Sequence, residues 1–133
     1  MTFRTHNVTN ISRSWNSGEH LIFSTVALNE GGGYDKNNGI FTAPRGGTYL
    51  FTVQLCTRHG KWILAQIKTS GVTAGSINNV DKSYNTCATA TAITSLKKGE
   101  RVWVEVSNSS GEQTLRQNSA DSLNIFSGTL LGN

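Results

Sequence analysis

Between Gly39 and Leu55 the chain reads Gly-Ile-Phe-Thr-Ala-Pro-Arg-Gly-Gly-Thr-Tyr-Leu-Phe-Thr-Val-Gln-Leu, and this run limits the possible folds more than any other. It holds the only proline and a Gly-Gly turn, followed by a strand with apolar residues at every second position. Tyr49, Phe51, Val53 and Leu55 point one way, and Leu50, Thr52 and Gln54 point the other. Such a strand buries one face well and the other partly, as in the wall of a sandwich.

The rest of the chain repeats this pattern. No segment of adequate length carries a helical repeat. Period-two stretches run from Leu21 to Leu28, Thr48 to Thr57, Lys61 to Lys68, Ala88 to Leu96, Arg101 to Ser107 and Ser122 to Leu131. Gly, Asn, Ser and Asp clusters separate them, at Asn29 to Gly33, Asn78 to Asp81 and Asn108 to Gly111. Short strands with turn signals between them predict an all-β antiparallel sandwich or jelly roll. The 133 residues suffice for one domain with a real core, taken as residues 1–133.

Few chemistries fit these residues. His6, His20 and His59 stand in polar, turn-like stretches, and no Gly-x-Ser-x-Gly elbow or spaced carboxylate pair nominates a hydrolase. Gly31-Gly32-Gly33 is not followed by the Lys-Ser/Thr of a phosphate loop. Two cysteines and three histidines lack the close pairing that zinc requires. An enzyme is not expected. The net charge of +4 is spread along the chain, with no basic stripe for nucleic acid. No apolar run approaches the roughly 20 residues of a membrane span, and the N-terminus has no hydrophobic leader core. Asn-x-Ser/Thr triplets at Asn7, Asn10 and Asn108 mildly favour a secreted protein.

Binding is better supported than catalysis. Arg58, His59, Lys61 and Trp62 bring cations, a ring donor and an indole into one predicted turn, suited to a sugar or an anionic group. Trp15, beside Arg13, offers a second loop aromatic, and Tyr84 a third in the Asn-rich stretch from Ser76 to Asn85. For each tryptophan taken singly, burial against a sheet is the competing expectation.

Motifs in register along most of the chain resemble the C1q-type globular domain. Tyr34-Asp35 is followed by Gly39 to Pro44, then by Gly47-Thr48-Tyr49-Leu50-Phe51. Leu96-Lys97-Lys98-Gly99-Glu100-Arg101-Val102-Trp103 resembles the family's Leu-x-x-Gly-Asp-x-Val-Trp, with Glu100 in place of aspartate. Phe126-Ser127-Gly128-Thr129-Leu130-Leu131 resembles its closing signature, with Thr129 in place of an aromatic.

The resemblance implies a ten-stranded jelly-roll β-sandwich of two five-stranded antiparallel sheets. It also implies a homotrimer, with Phe23, Tyr34, Phe41, Tyr49, Phe51, Trp103 and Phe126 as core or trimer signature residues. The outward face of the strand at Trp103 is expected near the three-fold axis. Some relatives hold calcium in a loop that corresponds to Ser76 to Thr86, which makes Asn78, Asn79 and Asp81 candidate ligands; no cofactor is otherwise required. In the implied fold Cys56 lies late in one strand and Cys87 early in another. They are therefore expected toward different ends, beyond easy bridging distance, with buried free thiols favoured over the one disulfide that two cysteines permit.

No Gly-X-Y stalk is present in these residues. The chain is thus similar to the secreted, head-only members abundant in molluscs and other invertebrates. The function this implies is innate-immune pattern recognition of microbial polysaccharide or lipopolysaccharide, with a cytokine-like or structural module for a protein receptor as the alternative.

Overall fold

The alternating segments become ten strands in a computed structural model that describes residues 1–70, 72–80, 86–118 and 123–132. They are β1 (Thr2–Val8), β2 (Phe23–Glu30), β3 (Tyr34–Asp35), β4 (Ile40–Thr42), β5 (Gly47–Thr57), β6 (Trp62–Thr69), β7 (Val72–Val80), β8 (Thr86–Leu96), β9 (Arg101–Ser109) and β10 (Ile125–Gly132). One antiparallel sheet has the order β2-β1-β10-β5-β8, and the other β3-β4-β9-β6-β7. No helix occurs among the described residues. The architecture is the expected jelly roll of two five-stranded sheets.

The apolar alternation builds the core. Tyr49, Phe51, Val53 and Leu55 of β5 are fully buried, as are Val102, Val104 and Val106 of β9 on the facing sheet. Phe23, Tyr34, Phe41 and Phe126 join them. Phe3 lies at the centre, stacked on Tyr34 and Phe41 of the second sheet and edge-on to Phe126 of the first. Gly128 sits opposite both Phe3 and Phe51 in the ladders. A Cβ there would lie 2.6 Å from the Phe3 ring and 2.7 Å from that of Phe51, so the two aromatic rings occupy its space.

Tyr34 fixes the start of β2. Its hydroxyl donates to the Phe23 carbonyl at 2.7 Å and accepts from the Phe23 amide at 3.1 Å. Burial pushes its phenol pKa up to about 12, and the Phe23 amide, donating to the phenol oxygen, acts in the opposite sense. A pKa raised on folding stabilises the fold fully below the ordinary tyrosine value near 10 and loses that contribution as pH rises through about 12. Stability should therefore fall between these values. In Tyr34→Phe the alkaline decline should be shallower, and stability at neutral pH about 1–3 kcal/mol lower from the lost buried hydrogen bonds. Urea titrations at stepped pH check both; an unchanged alkaline slope would contradict the assignment.

Two expectations are corrected. Cys56 and Cys87 are not separated thiols: β5 and β8 are antiparallel neighbours, and this brings a late residue of one opposite an early residue of the other. The pair is in direct register with Cα atoms 3.9 Å apart, and it is disulfide-bonded. The stretch from Ser76 to Val80 is not loop, because it completes β7 against β6 from Trp62 to Gln66. Gly75 and Ala92 are nearly in contact where β7 approaches β8, and their small size lets the sandwich close at that side.

Candidate functional site

The strand registers set the two ends of the sandwich. Thr2, Gly47, Leu96 and Thr129 mark one end, where the Leu130 amide donates to the Met1 carbonyl. Val8, Thr57, Thr86 and Ile125 mark the other, which carries the turn 58–61 and the segments 9–22 and 110–118.

At that loop end, backbone hydrogen bonds join three segments. The Lys61 amide closes a turn on the Arg58 carbonyl, with Gly60 at φ 75°, in the left-handed region that favours glycine. The Arg58 amide donates to the Thr114 carbonyl, and Trp62 and Ser110 exchange bonds through the Trp62 amide and carbonyl. Farther along, the Gln113 amide donates to the Ser12 carbonyl. The segments thus lie side by side in the order 58–61, 110–114, 9–13.

Between the last two opens a cleft of about 860 Å³, with Asn10, Ile11, Ser12, Arg13, Glu112 and Gln113 in its wall. Asn10 and Gln113 have φ of 55° and 60°, a conformation that residues other than glycine adopt sparingly. Asparagine tolerates it, while glutamine has no short side-chain amide to support it and relies on the bond to Ser12. Two left-handed residues in one cleft mark a segment shaped by its surroundings.

The charges of this end divide into committed and uncommitted groups. Arg13 pairs with Glu19 and lies 4.6 Å over the Trp15 ring. The Asn16 amide, together with the Arg13 guanidinium, holds the Glu19 carboxyl below the usual range. Arg58 is exposed and Lys61 half-buried, and neither has a carboxylate partner among the described residues. Trp62 is half-buried beside them at the outer face of β6, and His59 is exposed. The predicted turn residues Arg58, His59, Lys61 and Trp62 therefore lie together.

Other predicted residues do not join them. Trp15 is only 6% exposed and belongs to the core, because the segment from Gly18 to Leu21 runs alongside β9 and draws the preceding residues inward. It offers no loop face. Asn79 is buried; its amide donates to the Leu55 and Thr86 carbonyls and its oxygen accepts from the Thr86 hydroxyl. That amide ties β7 to β5 and β8 of the other sheet rather than lining a loop cation site. Asn78 is exposed on β7, while Asp81 and Tyr84 lie outside the described residues. The sequence reading names no binding role for Asn10, Ser12, Glu112 or Gln113, and takes Asn10 only as the start of an Asn-x-Ser triplet. The sole signal for them is the polar, turn-forming character of both stretches, which names no chemistry.

Trp103 lies on the side of β9 opposite the buried Val102, Val104 and Val106, as the alternation predicts. It faces outward from β9, stacked on His20 with ring centroids 5.2 Å apart, and its indole N–H donates to Glu105. Exposed apolar side chains gather instead on the outer face of the other sheet, where Leu28 is 40% and Ile93 66% exposed, with Leu50 and Ile125 half-buried between them.

Comparison with known proteins agrees with this architecture. The globular domain of zebrafish complement 1qA protein superposes with a TM-score of 0.76 at 20% identity, covering 99% of this chain and 98% of that one. Multimerin-2 of Mus musculus is 32% identical over 84 residues, and Multimerin-2 of Homo sapiens 33% over 88. These matches cover 63% and 66% of this chain but 9% of each of those proteins. The C1q domain family matches residues 3–131, and the chain belongs to that family.

Proposed function

We propose that this C1q domain is a secreted, trimeric recognition protein of innate immunity that binds anionic glycans of microbial surfaces, lipopolysaccharide among them, at its loop end. The observation that carries this reading is the juxtaposition there of uncommitted Arg58 and Lys61, half-buried Trp62 and a cleft whose wall includes the Asn10 and Gln113 amides, the Ser12 hydroxyl, Arg13 and Glu112. Guanidinium and ammonium groups recognise phosphate and carboxylate, and an indole accepts the apolar face of a sugar.

Trimerisation is supported by the apolar outer face of the first sheet at Leu28, Leu50, Ile93 and Ile125, and by the habit of C1q domains. The three-fold axis is assigned to that face, which leaves Trp103 on the outside. Three weak sites on one surface then act with avidity. Secretion is supported by the disulfide, a bond of oxidising compartments. No helix among the described residues is long and apolar enough to cross a membrane. The reading invokes no catalytic step and requires no metal.

The test is binding of the protein to immobilised lipopolysaccharide, with its trimeric state checked by sedimentation. The double variant Arg58→Ala/Lys61→Ala should weaken binding about tenfold or more, from the loss of two charge-assisted contacts. Binding by the double variant at wild-type strength would defeat the assignment of this end. Loss of wild-type binding in EDTA would restore Asn78 and Asp81 as candidate calcium ligands.

A further inference from the structure

On the outer face of the second sheet, at the end away from the 58–61 loop, lies a groove of about 450 Å³ that the reading above does not use. Its volume is within the roughly 300–1,000 Å³ of small-molecule sites. His20, Ser70, Glu100, Arg101 and Trp103 are among the residues that line it.

Three features of this groove suit a ligand. The Trp103 ring is fixed before anything binds, by the His20 stack on the ring and the hydrogen bond of its N–H to Glu105 at 3.1 Å. A held aromatic binds without the cost of ordering it. Arg101 stands two residues earlier on β9 and so shares the same outward face. It is exposed, with no ion pair or side-chain hydrogen bond among the described residues. Glu100 is anchored on the adjoining turn, where it accepts from the Lys97 amide at 2.6 Å and the Ser70 hydroxyl at 3.1 Å. Those donors, the amide first, hold its carboxyl below the usual range, so it is an acceptor with lone pairs to spare.

We infer that this groove is a second binding site, for a neutral pyranose, with the sugar's C–H face on Trp103 and its hydroxyls shared between Arg101 and Glu100. The sign of the charges selects against an anionic sugar. Glu100 lines the groove with Arg101, and a carboxylate or phosphate would meet it as well as the guanidinium. Hydroxyls donate to the carboxylate and accept from the guanidinium with no such conflict. The groove faces away from the apolar sheet proposed for trimer contact, so it stays open in a trimer. Loop end and groove then divide the glycan classes, anionic at one and neutral at the other.

The test follows the indole N–H resonances of Trp15, Trp62 and Trp103, assigned by single Trp→Phe variants. The full chain is titrated with neutral oligosaccharides from mannan, β-glucan and chitin. The Trp103 signal should shift saturably with at least one of them. Arg101→Ala, an exposed change that leaves the fold intact, should weaken that titration about tenfold for one lost charge-assisted contact. No saturable Trp103 shift with any of the three would overturn the site, as would an Arg101→Ala titration equal to wild type. A shift confined to Trp62 would also overturn it, by moving neutral glycans to the loop end. A Trp103 response without lipopolysaccharide binding would leave the groove standing and remove the loop-end reading.

Discussion

Phe3→Ala should lower the stability of the domain by about 3–5 kcal/mol, the range for removing a fully enclosed aromatic ring. Phe3 is 1% exposed, and its ring meets Tyr34 and Phe41 from one sheet and Phe51 and Phe126 from the other, with centroids 4.7 to 6.3 Å away. It is the joint between the sheets. Gly128, opposite Phe3 on β10, has no side chain to fill the cavity. Denaturant unfolding measures the loss, with the exposed Leu131→Ala as a control expected within about 0.5 kcal/mol of wild type. A loss under about 1 kcal/mol for Phe3→Ala would mean that β1 is not docked at the centre of the sandwich.

Breaking the disulfide should cost about 2–4 kcal/mol, since it closes a long loop. Cys56 and Cys87 are separated by 31 positions in sequence, which gives a chain-entropy contribution of roughly 3–4 kcal/mol. Cys56→Ala/Cys87→Ser removes the bond with little other change, because Cys56 is buried and Cys87 exposed. The effect should reach the proposed site. The bond lies one residue pair from Thr57 and Thr86, at the base of the turn that carries Arg58 and Lys61. Lipopolysaccharide binding should weaken in the variant along with stability. Two thiols reacting in the unreduced native protein would contradict the pairing outright.

Much of the fold is legible in the residues because the sheets bury one face and leave the other open. The alternation in β5 and β9 names seven core residues directly, and all seven are fully buried. β7 escapes such a reading. Gly75, Ser76, Asn78 and Asn79 are poor or neutral strand formers, and the segment is extended because β6 pairs with it along its length. The disulfide depends on which strands become neighbours and on a register maintained over eleven residue pairs of β5 and β8. A one-dimensional reading that treats the two strands as separate places the cysteines apart.

The candidate site divides along the same line. Arg58, His59, Lys61 and Trp62 are adjacent in sequence, so one turn suffices to gather them. The cleft beside them needs residues 9–13 and 110–114, about a hundred positions apart along the chain, brought together by the bond from Gln113 to Ser12. Trp15 shows the reverse. Its polar neighbours suggest an open loop, yet the pairing of Gly18 and Leu21 with β9 carries it into the core.

The most direct measurement of the central claim is equilibrium binding of the purified protein to lipopolysaccharide and to a panel of microbial glycans, each with free sugar as competitor. A recognition protein gives saturable binding that free sugar abolishes, with anionic glycans lost in Arg58→Ala/Lys61→Ala. A folded trimer that binds no glycan on the panel would contradict the account and point to a protein receptor as the partner.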